Sequence, residues 1–155
     1  MKKRYAIAIT AFLLISAGVM ASQPDSEVPS NGNGTSGNPW QIASVENLLW
    51  IGDASIDNPS LGDRLSAFYL QTQDITFTSN INTWDDSKGW TPIGGGGTND
   101  LFTGQYDGGG HSITGLFINR SNHNNIGLFG HLGEGTETQS AIIRNLHLKN
   151  PKVTG

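Results

Sequence analysis

Apolar residues occur in short groups along the chain, and the first clear group is VENLLWI at residues 45–51. Ser44 precedes this group, Glu46 lies in its first turn and Gly52 follows it. A serine cap, an early acid and a terminal glycine are start and stop signals of a helix. The pattern therefore predicts a helix of about two turns. Such a short helix is unstable alone in water, so we expect it to pack against other apolar residues.

The later apolar groups favour strands. Residues 65–77 (LSAFYLQTQDITF) are rich in aromatic and β-branched side chains, which predicts a strand with a bend. Residues 78–100 show little periodicity and are predicted to leave the core, with one short strand near Trp90. From Phe102 onward, glycine-rich turns alternate with short apolar runs, among them IGLFG at residues 126–130. Because the chain has 21 glycines and only 14% charged residues, long helices are disfavoured.

One apolar spacing recurs about thirty residues along the chain. ITGLFI at residues 113–118 and IRNLHL at residues 143–148 are both apolar at their first, fourth and sixth positions. A repeat of this length is typical of a solenoid. We therefore predict an all-β fold, a right-handed parallel β-helix of the pectate-lyase-like type, incomplete, with the short helix capping its N-terminal end. Asn119 and Asn145 are either stacked turn residues of this solenoid or exposed turn asparagines.

The N-terminus has the composition of an export signal. A basic start at residues 1–4 is followed by an apolar run at residues 5–19 and small residues before Ala21, which predicts a signal peptide over residues 1–21. The apolar run is too short for a membrane span, so we expect a mature chain without a membrane segment. Residues 22–37 (SQPDSEVPSNGNGTSG) have the composition of a flexible linker. Residues 38–155 are then the N-terminal part of a truncated β-helix domain.

Charge and cysteine content exclude several classes of function. Three of the nine Lys and Arg lie in the predicted signal peptide, which leaves six against thirteen Asp and Glu, a net charge of about −7. An acidic chain of this kind is not expected to bind nucleic acid or anionic lipid. The absence of cysteine excludes disulfides and thiolate metal sites.

Several blocks of the sequence, taken in order, resemble the segment that precedes GLUG-motif repeats. Such segments occur in bacterial secreted and surface adhesin-like proteins and in the non-catalytic N-terminal regions of immunoglobulin A1 metallopeptidases. The matching blocks are NPWQI at 38–42, YLQTQDI at 69–75, WTPIG at 90–94, FTGQYDGGGHSITGL at 102–116, IGLFG at 126–130 and IRNL at 143–146. The family has tandem Gly-Leu-x-Gly elements, whereas this chain has one, at residues 127–130.

The resemblance implies an extracellular structural or adhesive module without catalysis, secreted or held on the cell surface. A host or matrix surface protein or a glycan is the expected kind of partner. Two alternatives remain open at the level of sequence. The chain is a carbohydrate-binding or carbohydrate-active β-helix, similar to polysaccharide lyases or hydrolases, or it is a truncated fragment without a function of its own.

The candidate site residues are Asp107, His111, Trp84 and Trp90. Asp107 and His111 lie four residues apart around a triple-glycine turn, a pair that can serve as acid and base or as turn cap and structural hydrogen-bond partner. The resemblance favours the structural role. Trp84 and Trp90 lie in the loop-rich segment and either stack on sugar rings or pack in the core. For Trp90 we favour packing.

Other catalytic and metal-binding motifs are absent from the sequence. The four histidines form no H-E-x-x-H zinc motif, and there is neither a G-x-S-x-G nucleophile turn nor a phosphate-binding loop. The aspartates match no EF-hand calcium loop. We therefore predict no metal, no cofactor and no catalytic residue.

Overall fold

The computed structural model describes residues 22–95, 100–133 and 140–155. Residues 1–21, the predicted signal peptide, lie outside this part of the chain. In the described ranges no helix is long and apolar enough to cross a membrane. The elements in chain order are β1 (Trp40–Ile42), α1 (Val45–Gly52), α2 (Leu61–Leu65), β2 (Phe68–Gln71), β3 (Ile75–Thr76), a 3₁₀ turn (Ile81–Thr83), α3 (Trp84–Ser87), β4 (Gln105–Asp107), β5 (Ser112–Thr114), β6 (Phe117–Asn119), β7 (Ile142–Arg144), β8 (His147–Lys149) and β9 (Lys152–Thr154).

The strands form three small parallel sheets. Their strand orders are β1-β2-β4-β7, β3-β5-β8 and β6-β9. Each pair is parallel, with Tyr69 opposite Tyr106 and Tyr106 opposite Ile143 in the largest sheet. Two neighbouring parallel strands must be joined by a long connecting segment. In this chain the connecting segments contain the helices and the loops.

The prediction of an all-β pectate-lyase-like β-helix was wrong. Helices α1, α2 and α3 lie between the early strands, from β1 to β4, and the strands, of two to four residues each, lie in separate sheets of four, three and two strands, none of which curls into a solenoid. Local capping explains the helical content. Ser60 and Asp63 form a reciprocal capping box at the start of α2, a helix that the apolar pattern did not predict. The helix predicted after Ser44 is present as α1.

Helix α1 closes one end of the core. The Ser44 hydroxyl accepts a hydrogen bond from the Asn47 N–H at 3.2 Å, which satisfies one of the unpaired donors of the first turn. Leu48 and Ile51, three residues apart on the same face of the helix, are completely buried. Burial of each such side chain stabilises the fold by about 1.5–3 kcal/mol. The short helix is therefore held by packing, as its length requires.

The pairing register differs from the apolar repeat in the sequence. Ile113 lies opposite Leu148, and Ile143 lies opposite Tyr106, so the two apolar hexapeptides are not structural equivalents. Asn119 and Asn145 do not stack on each other, because Asn119 lies opposite Thr154 and Asn145 bonds to Asp107. Apolar residues at positions one, four and six are compatible with more than one register of strand pairing. The spacing alone therefore did not predict which residues of the two hexapeptides pair.

Residues 22–37, predicted as a flexible linker, run along the closed end and bond to it. The N–H of Glu27 donates to the Glu46 carbonyl at 3.1 Å, and the Asn47 side-chain amide donates to the Glu27 carbonyl at 3.0 Å. Further along, the Asn31 carbonyl accepts a bond from Gln41 N–H in β1 at 3.0 Å. This segment thus covers the outer edge of β1 and the start of α1.

Candidate functional site

The turn between β4 and β5 holds the sequence-predicted polar pair. Gly109 and Gly110 have φ values of 60° and 80°, which glycine adopts without steric cost. The Asp107 carboxylate points back across this turn. Its Oδ1 accepts the Gly109 N–H at 2.9 Å and the Asn145 side-chain amide at 3.0 Å, and its Oδ2 accepts Arg144 Nε at 2.9 Å. Asp107 therefore joins the turn to the neighbouring β7.

These bonds favour the charged form of Asp107. The backbone N–H of Gly109, the side chain of Asn145 and the Arg144 guanidinium together hold the pKa of Asp107 below its ordinary value, against an opposing effect of burial. A general acid needs a raised pKa, so the environment of Asp107 suits a turn cap and not a proton donor near neutral pH.

His111 lies on the other side of the turn and faces a different carboxylate. Its Nδ1 is 3.6 Å from Asp74 Oδ1, and both side chains are exposed by more than a third. The same Asp74 oxygen accepts the Ser112 N–H at 2.8 Å, and this backbone bond is the main cause that lowers the pKa of Asp74. The sequence placed Asp107 and His111 together, whereas the structure gives each its own partner: Arg144 of β7 for Asp107, and Asp74, just before β3, for His111.

A shallow cavity of about 220 Å³ lies beside Asp107 on the face of the largest sheet. Its polar lining includes Gln105, Asp107 and Arg144, and its apolar lining includes Leu70 and Ile142. Its volume is below the usual range for drug-sized ligands. His111, Trp84 and Trp90 do not line it.

Both candidate tryptophans belong to the core. Trp84 and Trp90 are only 2% and 1% exposed, so neither presents a ring face to a sugar. Phe77 lies between them with ring centroids 6.0 Å and 5.3 Å away. Trp90 Nε1 donates to the Leu128 carbonyl at 3.0 Å, whereas Trp84 Nε1 is buried without a partner in the described part of the chain.

Two buried arginines, Arg64 and Arg120, are among the buried polar residues that sequence reasoning missed. Arg120 donates to the Trp90 carbonyl at 3.0 Å, to Thr91 Oγ1 at 2.9 Å and to Asp85 Oδ2 at 2.6 Å. Arg64 is completely buried, lies over the Trp50 ring at 5.2 Å and donates to the carbonyls of Trp50, Asp53 and Ile56. Both arginines anchor loops. Arg64 stands next to Leu65 in the sequence, but Arg120 stands between Asn119 and Ser121, so no common sequence signal marks the two as buried.

The described residues contain no group of three or more His, Asp or Glu that could hold a metal ion. The acidic side chains with ordered partners bond instead to backbone N–H groups, to hydroxyls or to arginine.

Comparison with known proteins gives two relatives. The chain is 37% identical over 126 residues to Halomucin of Haloquadratum walsbyi, which covers 80% of this chain and 1% of that protein. It is 36% identical over 135 residues to a protein of Evansella cellulosilytica named as a Gly-rich membrane protein, which covers 85% of this chain and 13% of that protein. No protein-family profile matches the chain, and no solved structure matches it.

The chain thus spans a small part of the length of each relative. The matched region includes most of this chain in both cases, so the likeness extends over the fold and not over one motif. One of the two names states a membrane protein, and neither states an enzyme.

Proposed function

We propose that this chain is a structural or adhesive module of a secreted or cell-surface bacterial protein, without catalysis of its own. In this proposal the chain corresponds to the segment that precedes GLUG-motif repeats in adhesin-like proteins. Residues 1–21 direct export, and residues 22–155 form the exported body.

The two relatives support the coarser part of this proposal, a surface- or membrane-type protein. Both match over four fifths or more of this chain, and one is named as a membrane protein. The finer assignments, secretion and adhesion, follow from the signal-like N-terminus and from the resemblance of the sequence blocks.

The observation that carries the non-catalytic part is the bonding of Asp107. Each of its carboxylate oxygens accepts bonds from the turn or from β7, and its pKa is lowered. Trp84 and Trp90 are buried in the core. The residues most suited by type to chemistry or to sugar stacking therefore serve the fold, which supports a scaffold role.

Export and surface location are tested with the full chain carrying a C-terminal epitope tag in a bacterial host. We expect the tag in the medium or on intact cells, accessible to antibody and to added protease. A matched variant with Leu13→Arg and Leu14→Arg interrupts the apolar run of the predicted signal and should retain the tag inside the cell. Tag that stays intracellular in the unmodified chain would contradict the proposal.

The second candidate function is carbohydrate binding at the cavity beside Asp107. The observation in its favour is the grouping of Gln105, Asp107 and Arg144 next to apolar Leu70 and Ile142 on one sheet face. A glycan array probed with the exported protein tests it. If a glycan binds and Gln105→Ala abolishes that binding while Gln73→Ala on another surface does not, the carbohydrate assignment replaces the scaffold assignment.

A further inference from the structure

A second cavity lies where the turn at residues 33–36 meets α2 and the start of β2. Its volume is about 410 Å³, within the range of about 300–1,000 Å³ that is usual for ligand pockets. Every residue of its lining lies between positions 33 and 68, far along the sequence from the last strands. We call it the α2 cavity. It borders the cavity beside Asp107 and shares Ser36 and Phe68 with it.

Two aromatic side chains line the α2 cavity. Trp40 and Phe68 are both half-buried, so part of each side chain faces solvent. The other three tryptophans of the chain are at most 2% exposed. Aromatic rings offer a large apolar surface on which the C–H faces of a sugar ring can pack. The α2 cavity therefore has the accessible aromatic surface that Trp84 and Trp90 do not provide.

Two side-chain donors in this lining are not used within the described part of the chain. Trp40 Nε1 donates to no acceptor there, and a Cβ on Gly34 would lie 2.5 Å from this nitrogen, so the glycine leaves it uncovered. Asn33 Oδ1 accepts the Thr35 N–H at 3.2 Å and the Thr35 hydroxyl at 2.8 Å, which leaves Asn33 Nδ2 as a free donor. Hydroxyl groups of a ligand can accept both bonds.

The backbone around the α2 cavity is already hydrogen-bonded. Phe68 N–H donates to the Gly34 carbonyl at 2.9 Å, and Asn33 N–H donates to the Asn38 carbonyl at 3.0 Å. The β1 edge nearby is covered by the Asn31 carbonyl. An extended peptide that adds to a sheet needs free backbone groups at a strand edge. Because this cavity offers side chains instead, it favours a ligand that is recognised through its hydroxyl groups.

Charge at the α2 cavity favours a neutral ligand. The Asp63 carboxylate is exposed in its lining and would repel a uronate or sialate group. Arg64, the cation of the lining, is completely buried and donates to the carbonyls of Trp50, Asp53 and Ile56. Its guanidinium is therefore not available as a counter-ion for an acidic sugar.

We propose that the α2 cavity binds a neutral glycan, with a sugar ring packed against Trp40 and Phe68 and its hydroxyl groups bonded to Trp40 Nε1 and Asn33 Nδ2. This inference rests on the proposed adhesive function and deepens it by naming the class of ligand and the site. The site differs from the cavity beside Asp107, because neither Trp40 nor Asn33 lines that cavity.

Binding is tested first on a glycan array probed with the purified chain. The array carries neutral oligosaccharides of glucose, mannose, galactose, xylose and N-acetylglucosamine beside acidic oligosaccharides with uronate or sialate groups. We expect at least one neutral class to bind and the acidic glycans not to bind. The bound oligosaccharide is then titrated by calorimetry. Absence of binding to every neutral class, or a preference for acidic glycans, overturns the inference.

Tryptophan fluorescence then locates the bound oligosaccharide. Of the four tryptophans, Trp40 is half-buried and the others are at most 2% exposed, so acrylamide should quench mainly the emission of Trp40. We expect the oligosaccharide to reduce this quenching in the natural chain and to leave the quenching of Trp40→Phe unchanged. An oligosaccharide that binds the natural chain without reducing the quenching lies elsewhere, which overturns the inference.

Two substitutions each remove one free donor. Trp40→Phe keeps an aromatic side chain, and Asn33→Ala removes the amide. Each should weaken the oligosaccharide at least about fivefold, whereas Asn82→Ala, at an exposed asparagine elsewhere, should leave the affinity unchanged. Circular dichroism verifies that each variant is folded. If Trp40→Phe does not fold, Asn33→Ala and the quenching of the natural chain still decide the question.

Gln105→Ala separates the two neighbouring cavities. We expect it to leave the affinity unchanged, because Gln105 lines the cavity beside Asp107 and not the α2 cavity. Loss of binding in Gln105→Ala, or full affinity in both Trp40→Phe and Asn33→Ala, overturns the inference. These assays use purified protein and do not depend on the export assay, so the proposed surface location and this inference fail separately.

Discussion

Replacement of Arg120 by methionine tests whether the buried guanidinium holds the loop between α3 and the core. Methionine keeps most of the apolar stem and removes the donors. The Trp90 carbonyl and the Thr91 hydroxyl, which accept bonds at 3.0 Å and 2.9 Å, then lose their partner in a site where Arg120 is only 8% exposed. The Asp85 carboxylate, 2.6 Å from Arg120, also loses its counter-ion.

The expected loss in free energy of unfolding depends on which of these hydrogen-bond partners is buried. Leaving a buried acceptor such as the Trp90 carbonyl without a hydrogen-bond donor costs about 1–3 kcal/mol. The contribution of Asp85 is smaller than that of a buried pair, because its side chain is 37% exposed and solvent screens the attraction to below about 1 kcal/mol. We therefore expect Arg120→Met to lower the free energy of unfolding by about 1–3 kcal/mol and Asp85→Asn to lower it by less than about 1 kcal/mol.

Urea unfolding followed by tryptophan fluorescence and far-UV circular dichroism measures both values, since Trp84 and Trp90 lie in the same region of the core. Arg144→Met is the matched control, because the Arg144 side chain is 60% exposed and bonds only to Asp107 in the described part of the chain. A loss below about 1 kcal/mol for Arg120→Met, or an equal loss for Asp85→Asn, would refute the assignment of the stability to the contact with the buried Trp90 carbonyl.

Three further predictions concern Asp107, Ser87 and Asn47. The pKa of Asp107 is lower in the folded chain than its ordinary value of 3.8, so its stabilising effect is complete above that pH and disappears as pH falls through the folded pKa. Acid unfolding should accordingly show a stability gap between the natural chain and Asp107→Asn that closes below pH 3.8. Ser87 has φ 67°, so Ser87→Gly should raise the thermal midpoint by relieving about 0.5–1 kcal/mol of strain, whereas Ser79→Gly should lower it. Asn47→Ala removes the bonds to Glu27 and Ala43, and limited proteolysis should then cut residues 22–31 faster than in the natural chain, while Asn82→Ala leaves that rate unchanged.

Local signals predicted the elements that local chemistry controls. The Ser44 cap and the terminal Gly52 predicted α1 with its observed start and end. The bend expected in residues 65–77 is present between β2 and β3. The capping box from Ser60 to Asp63 was equally visible in the sequence, but no apolar periodicity followed it, and α2 was missed.

Fold class and site geometry depended on contacts that are distant in sequence. The apolar spacing of residues 113–118 and 143–148 predicted a repeat in which Ile143 is the equivalent of Ile113. The observed partner of Ile113 is Leu148, five positions further along the chain. The bonds of Asp107 to Arg144 and Asn145 join residues from different strands, so the turn alone could not predict them. Arg120 was missed because nothing in the sequence marks a single arginine as buried.

The parallel register also determines how this chain can fold. Residues paired between neighbouring strands are 29 to 38 residues apart in sequence, from Trp40 and Tyr69 in β1 and β2 to Ile75 and Ile113 in β3 and β5. Closing a loop of that length before any strand contact forms is entropically costly, and folding slows as mean contact separation grows. Each strand needs only the strand that precedes it in its sheet. A chain that emerges N-terminus first can therefore add its strands in order, with α1 and β1 as the earliest template.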